Sequence, residues 1–249
     1  MLNINRRQFP TKLFVAASLA TFILLVVFFF LLKINVASDF TKQKANSADK
    51  YYLNKNYSEG DLLTTKVPSL KDMLAGPIIS NLDPILGEKN APVALVYFAV
   101  FECNFCQQQE QILKQIMADY QDRVRLIWKD YPENNEDSLS WQAAMAARCA
   151  QQQSNFWPYH DLLYQNNNNL SQLTFLNLAD QLNLDRKDFV KCLDDDSVKQ
   201  MIKDNIEEAN ALAIGGVPFI YVNDQEVTGE ISLEKLKKIV EIELGKISN

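Results

Sequence analysis

A strand that runs straight into a Cys-x-x-Cys leaves few folds open. This chain carries one in Val93-Ala-Leu-Val-Tyr-Phe-Ala-Val-Phe-Glu-Cys103-Asn-Phe-Cys106, followed by a helical period from Gln107 to Tyr120. The apolar run follows Pro92 and is rich in Val and aromatic residues, which reads as a buried strand. The segment after it sets Phe105, Gln109, Ile112, Leu113, Ile116, Met117 and Tyr120 on one helical face. Cys103 then falls at the helix N-terminus, where unpaired backbone N–H groups and the positive end of the helix dipole stabilise a thiolate. That lowers the thiol pKa and makes the sulfur a good nucleophile and leaving group. Cys106, one turn further in, is close enough to close a disulfide with it.

The same motif also occurs in zinc sites, but those need a second Cys/His pair at similar spacing. The other cysteines, Cys149 and Cys192, stand singly and far apart, and His160 is the only histidine. No metal is therefore expected, and the plain alternative to a redox pair is a disulfide that only staples the fold. His160 reads as structural. The aromatic residues Trp141, Phe156, Trp157 and Tyr159 read as core rather than as a substrate groove.

Part of the 47% hydrophobic content belongs to Leu13–Leu32, twenty residues without a charge. As a helix that run spans about 30 Å, the thickness of a bilayer core, and it has no polar face. Arg6, Arg7 and Lys12 precede it, so residues 1–12 are expected in the cytoplasm, 13–32 as a transmembrane signal-anchor, and everything after Lys33 across the membrane. Two alternatives to a permanent anchor stay open. Val36-Ala37-Ser38 offers small residues for cleavage of a secretory signal, although the apolar run is longer than the usual one of about 7–15 residues. Arg6-Arg7-Gln8-Phe9 resembles part of a twin-arginine signal, although topology alone explains two arginines there.

The formal charge of −6 falls to −10 once Arg6, Arg7, Lys12 and Lys33 are set aside, which argues against nucleic acid as a partner. Export to an oxidising compartment also suits four cysteines, an even number that can persist there as disulfides.

Residues 33–66 are polar, without a sustained apolar period, and read as a tether. A domain is expected over 67–249. Within it Pro77–Leu82 is a short strand candidate, Asp83 to Pro92 a loop carrying Gly87, and Val124–Lys129 the strand after the active-site helix. From about 135 to 212 the period is helical throughout. Ser138 or Ser140, Ser171, Asp185 and Ser197 are placed to begin successive helices. The chain then returns to a strand over Val217–Val222, turns at Asn223-Asp224, forms a short strand over Glu226–Thr228 and ends in a helix capped by Ser232.

The order strand, Cys-x-x-Cys at a helix start, strand, then a Gly-Gly-Val-Pro loop leading into a hairpin and a last helix resembles the thioredoxin fold. The helical insertion makes the chain similar to the DsbA-like branch of bacterial exported thiol–disulfide oxidoreductases. The resemblance covers roughly Pro77 to Leu244. It includes Gly87-Glu-Lys-Asn-Ala-Pro92, Phe156-Trp157-x-x-His160-Asp-Leu-Leu163 and Gly216-Val-Pro218.

The resemblance implies an α/β domain whose catalytic pair is Cys103 and Cys106, with a cis Pro218 against the pair and Val217 offering backbone hydrogen bonds to a bound peptide. It also implies no cofactor. Relatives often hold cysteines near Cys149 and Cys192, so these two are expected either to form a structural disulfide or to pack as buried thiols.

Asn104-Phe105 replaces the Pro-His that helps make DsbA a strong oxidant. Tyr97-Phe98-Ala99-Val100 replaces the acidic Glu-Phe-Ser-Asp of relatives, so a strand carboxylate able to shuttle the proton of Cys106 is absent. Glu102, as a solvated neighbour, would disfavour the Cys103 thiolate.

The expected activity is insertion of disulfides into exported proteins with free thiols. A membrane reductase of the DsbB or vitamin K epoxide reductase-like kind would be the reoxidant. A reductase of the same fold, serving cytochrome maturation or repair, and a tethered binding or chaperone module with a structural Cys-x-x-Cys are the alternatives.

Overall fold

The computed structural model describes residues 76–247. The expected N-terminus 1–12, span 13–32 and tether 33–66 lie outside the described residues, as does the expected domain start at Val67. Among the described residues no helix is long and apolar enough to cross a membrane.

In chain order the elements are β1 (Ile85–Leu86), β2 (Val93–Ala99), α1 (Asn104–Tyr120) and β3 (Val124–Asp130). The helical insertion follows as α2 (Leu139–Gln152), α3 (Phe156–Gln165), α4 (Gln172–Gln181), α5 (Arg186–Cys192) and α6 (Asp196–Ala211). The chain closes with β4 (Phe219–Val222), β5 (Gln225–Thr228) and α7 (Leu233–Ile247).

The strands make one mixed sheet in the order β1-β3-β2-β4-β5. β2 lies at its centre, parallel to β3 from Val93↔Val124 to Ala99↔Asp130 and antiparallel to β4 from Leu95↔Val222 to Phe98↔Phe219. All of β2 is buried, which explains why its sequence is an unbroken apolar run rather than an alternating one. Its side chains still alternate between two faces. Val93, Leu95, Tyr97 and Ala99 share a core with Leu113 and Ile116 of α1, Leu236 and Val240 of α7, and Trp141, Tyr159 and Phe189 of the insertion. Ala94, Val96 and Phe98 join Ile127, Ala209, Ile214, Phe219 and Tyr221 on the other side.

The helix starts follow capping chemistry. Ser138 accepts from the Trp141 N–H, Ser171 from Thr174 and Asp185 from Asp188. α6 starts one residue before the expected Ser197 and is capped by Asp195. Its carboxylate accepts from both the N–H and the hydroxyl of Ser197 at 2.8 and 2.6 Å, and a negative charge suits that end of the helix dipole. A disulfide joins Cys149 of α2 to Cys192 of α5, their Cα atoms 5.6 Å apart.

Two expectations fail. Pro77–Leu82 is irregular, because its backbone donors go to side chains: Ile78 N–H to Glu208 at 2.5 Å and Ser80 N–H to Asp83 at 2.7 Å. The edge strand is instead Ile85–Leu86, within the expected loop, opposite Ile127 and Leu126. Gly87 follows at φ 92°, and a Cβ there would meet the Val124 carbonyl at 2.9 Å.

Phe105 shares a helical face with Gln109 and Ile116 as expected, but in the first turn of α1 it is 59% exposed, while the buried residues of the helix are Cys106, Gln109, Glu110, Leu113, Ile116 and Tyr120.

Candidate active site

α1 begins one residue after Cys103, which takes the N-cap position with extended backbone at φ −81° and ψ 112°. Its sulfur accepts the Cys106 N–H at 3.0 Å, while the Cys103 carbonyl accepts the Gln107 N–H at 3.0 Å. The two cysteines are joined as a disulfide, with Cα atoms 5.1 Å apart. They differ in access. Cys106 is wholly buried, whereas Cys103 is half-buried and reaches the wall of a groove of about 470 Å³.

Glu102, Tyr131, Glu133, Asn210 and Val217 also line that groove. The Val217–Pro218 bond is cis. Pro218 is buried and its carbonyl accepts the Gly229 N–H at 2.9 Å, while Val217 faces the groove with no hydrogen-bond partner among the described residues. The Tyr131 hydroxyl donates to the Ile214 carbonyl at 3.0 Å and lies 3.1 Å from Asn210 Oδ1, holding the loop before the cis bond. The fold therefore brings Cys103 and Val217 to one groove from distant parts of the sequence, with Pro218 buried next to Val217. Cys149 and Cys192 do not line this groove.

Beneath α1 the packing is polar as well as apolar. Tyr97 of β2 donates its hydroxyl to the Cys106 carbonyl at 3.1 Å, fastening the central strand to the first turn of the helix. Burial, with the charge of Glu110 behind it, raises the Tyr97 hydroxyl well above its usual range, so it stays neutral.

Glu110, one turn beyond Cys106, is itself buried, and its Oε1 stands 3.3 Å from His160 Nε2. On the other side of the imidazole, Nδ1 lies 3.0 Å from Asp161 Oδ1, and Asp161 also pairs with Lys114 at 3.0 Å. Phe101, Trp128, Phe156, Trp157 and Tyr164 surround the ring. Burial pulls the His160 pKa down, but Glu110 and Asp161 outweigh it and the net shift is upward.

The ligand-type atoms of Glu110, His160 and Asp161 lie within 4.8 Å of one another, the shape of a cation site. The Lys114 ammonium on Asp161 opposes a second cation there, and a protonated imidazole already matches both carboxylates.

Sequence reasoning left the strand without an acid and did not look for one in the helix. The available signal was the spacing: Glu110 lies four residues after Cys106, which puts the two on one helical face.

The sequence matches the thioredoxin family over residues 80–242. It is similar to Na(+)/H(+) antiporter NhaA 3 of Salinispora tropica, 31% identical over 164 residues that make up 66% of this chain and 25% of that protein. The chain thus spans about a quarter of that relative's length. It is also similar to the probable disulfide bond formation protein D of Bacillus anthracis, 28% identical over 65% of this chain and 78% of that one. Among solved structures, the thiol-disulfide exchange protein alpha-DsbA2 of Wolbachia pipientis shares the fold. It superposes with a TM-score of 0.60 at 24% identity, over 65% of this chain and 87% of the other. The chain belongs to the thioredoxin family.

Proposed function

We propose that the domain introduces disulfides into exported polypeptides by exchange at Cys103–Cys106, on the extracytoplasmic side of a bacterial membrane to which residues 13–32 tether it. The observation that carries this reading is the inequality of the two sulfurs. One opens onto a groove beside a cis-proline loop with an unpaired backbone, and the other is sealed in the core.

A substrate thiolate attacks Cys103 Sγ, the Cys103–Cys106 bond breaks, and Cys106 leaves. The substrate's second thiolate then attacks its own sulfur in the mixed disulfide and expels the Cys103 thiolate, which the helix N-terminus stabilises. Two electrons pass from the substrate dithiol to the protein, and a membrane DsbB-like or vitamin K epoxide reductase-like partner takes them away. Val217 and Pro218 hold the peptide while exchange proceeds.

Two measurements test the proposal. Cys106→Ser is expected to trap substrates as mixed disulfides in cells, and Cys103→Ser to abolish exchange; retention of activity by Cys103→Ser would reduce the pair to a staple. Equilibration with glutathione sets direction. A potential near that of thioredoxin, about −270 mV, supports a reductase, whereas one approaching that of DsbA, about −120 mV, supports the oxidase.

A further inference from the structure

The groove that receives a substrate at Cys103 carries charge of one sign. Glu102 and Glu133 line it, and among the described residues no lysine, arginine or histidine does. Both acids are exposed, and neither carboxylate has a hydrogen bond or an ion pair among the described residues. Basic residues of the adjoining elements are engaged elsewhere. Lys203, one turn before Ile206 on α6, holds Glu136 at 2.7 Å, and Arg148 of α2 is buried against Asp130.

Backbone contacts set both positions. The Cys103 N–H donates to the Val100 carbonyl at 3.2 Å, closing the turn that carries Glu102 next to the reactive residue. Beyond β3 the Glu133 N–H donates to Ser140 Oγ at 3.2 Å, and the Glu133 carbonyl accepts the Asn135 N–H at 2.7 Å, which ties that loop to the start of α2.

This charge works against the reaction. The attacking group is a thiolate, an anion, and it has to reach Cys103 past two carboxylates. A groove of about 470 Å³ is about 10 Å across, comparable with the Debye length of about 10 Å at 0.1 M salt, so salt only partly screens them from a group inside. The net charge of the chain, −6, has the same sign.

A cation on the substrate removes the conflict. Val100, Pro132, Ile206 and Val217 give an apolar wall to the aliphatic stem of a lysine or arginine, while the head of that side chain meets the carboxylates. An extended peptide advances about 3.3–3.6 Å per residue, so a side chain one or two positions from the cysteine stays within a groove of that width.

We infer that Glu102 and Glu133 make the groove selective for substrate cysteines with a lysine or arginine within two residues. The inference rests on the exchange reaction proposed above and adds its substrate class. The balance of that reaction is unchanged: the substrate dithiol loses two electrons and two protons, the Cys103–Cys106 disulfide takes up both, and the basic side chain makes and breaks no bond.

The test uses short peptides with two cysteines that differ at one position beside the first, which holds arginine, serine or glutamate. The rate at which each peptide opens the Cys103–Cys106 disulfide is divided by the rate at which it opens hydroxyethyl disulfide, an uncharged reference. That division cancels the effect of the neighbour on the ionisation and nucleophilicity of the peptide thiol itself. At about 20 mM salt the normalised rate should fall about tenfold from arginine to serine and about tenfold again to glutamate, and at about 0.5 M salt both steps should shrink to about twofold. In the Glu102→Gln, Glu133→Gln double variant, which alters only exposed and unpaired side chains, the arginine-to-serine ratio at low salt should drop to about twofold, the share left to the net charge of the molecule.

An undiminished ratio in the double variant would overturn the inference, because the preference would then belong to the molecule as a whole. One normalised rate for all three peptides with the unsubstituted protein, or a ratio indifferent to salt, would also overturn it, and neither measurement depends on a variant that folds. A protein disulfide that none of the peptides opens sinks the exchange reaction instead, so the two failures are told apart.

Discussion

His160 lies between two acids in an interior lined by aromatic rings, and its charge matters to stability. Burial alone would lower its pKa, but Glu110 and Asp161 carry it above the ordinary value, so the folded state binds the proton more tightly than the unfolded chain does. The stability this contributes is fully present below the unfolded pKa of about 6.5 and is lost as pH rises through the raised folded value. The midpoint of thermal unfolding of the oxidised protein should therefore decline as pH climbs through neutrality, and His160→Gln should flatten that slope.

A second buried ionic group makes a sharper demand. The Lys129 ammonium, 2% exposed, lies 3.0 Å from both Asp83 and Glu208, and Glu208 also accepts the Ile78 N–H. Glu208→Ala leaves a buried ammonium with one acid and a backbone donor with none. Urea titration should show a loss of about 3–5 kcal/mol, the range for breaking a buried pair. Neither cluster could be read from the sequence, because a polar residue carries no mark of burial until its partner is known. Glu110 and His160 are fifty residues apart, and Lys129 and Glu208 seventy-nine.

At the scale of elements the chemistry depends on where α1 starts. Cys103 is its N-cap and already accepts the Cys106 N–H, a bond that strengthens when the acceptor becomes a thiolate. In the reduced protein Cys103 should ionise below the ordinary thiol value of about 8.5, seen as ultraviolet thiolate absorbance on titration. An ordinary titration would remove the basis for treating it as the leaving group. Glu102 opposes this effect from solvent, and a charge there is screened.

This much was legible beforehand because it depends on local pattern: an apolar run buried on both faces, a motif at a strand-to-helix junction, and polar caps at Ser138, Ser171 and Asp185. The misreadings share a cause. Pro77–Leu82 has strand-like residues, but Asp83 and Glu208 claim its backbone donors. Phe105 looks like a core residue and at about 100° per residue shares the face of Gln109 and Ile116, but in the first turn of α1 nothing covers it and it is exposed.

For the whole molecule, the five-helix insertion has to hold its own helices together before it can pack on the sheet. The Cys149–Cys192 disulfide crosses the insertion from α2 to α5, both sulfurs buried, over a separation of 43 residues. In the chain-entropy account, closing a loop of that length removes about 4 kcal/mol of unfolded-state freedom. The Cys149→Ala, Cys192→Ala double variant should lose stability of that order in urea and lower the unfolding midpoint by several degrees. The cost of the disulfide and the chemistry of the site are separable, however. The groove at Cys103 is lined by the loops after β2 and β3, the turn before the cis proline, and Ser140, Ile206 and Asn210 of the insertion, none of which lies between the two cysteines of the second disulfide. At temperatures well below the new midpoint, the double variant should react with a model dithiol at the wild-type rate. Slow first attack on Cys103 in a folded double variant would mean that the second disulfide also sets how α2 and α6 line the groove, and stability and reactivity would not be separable.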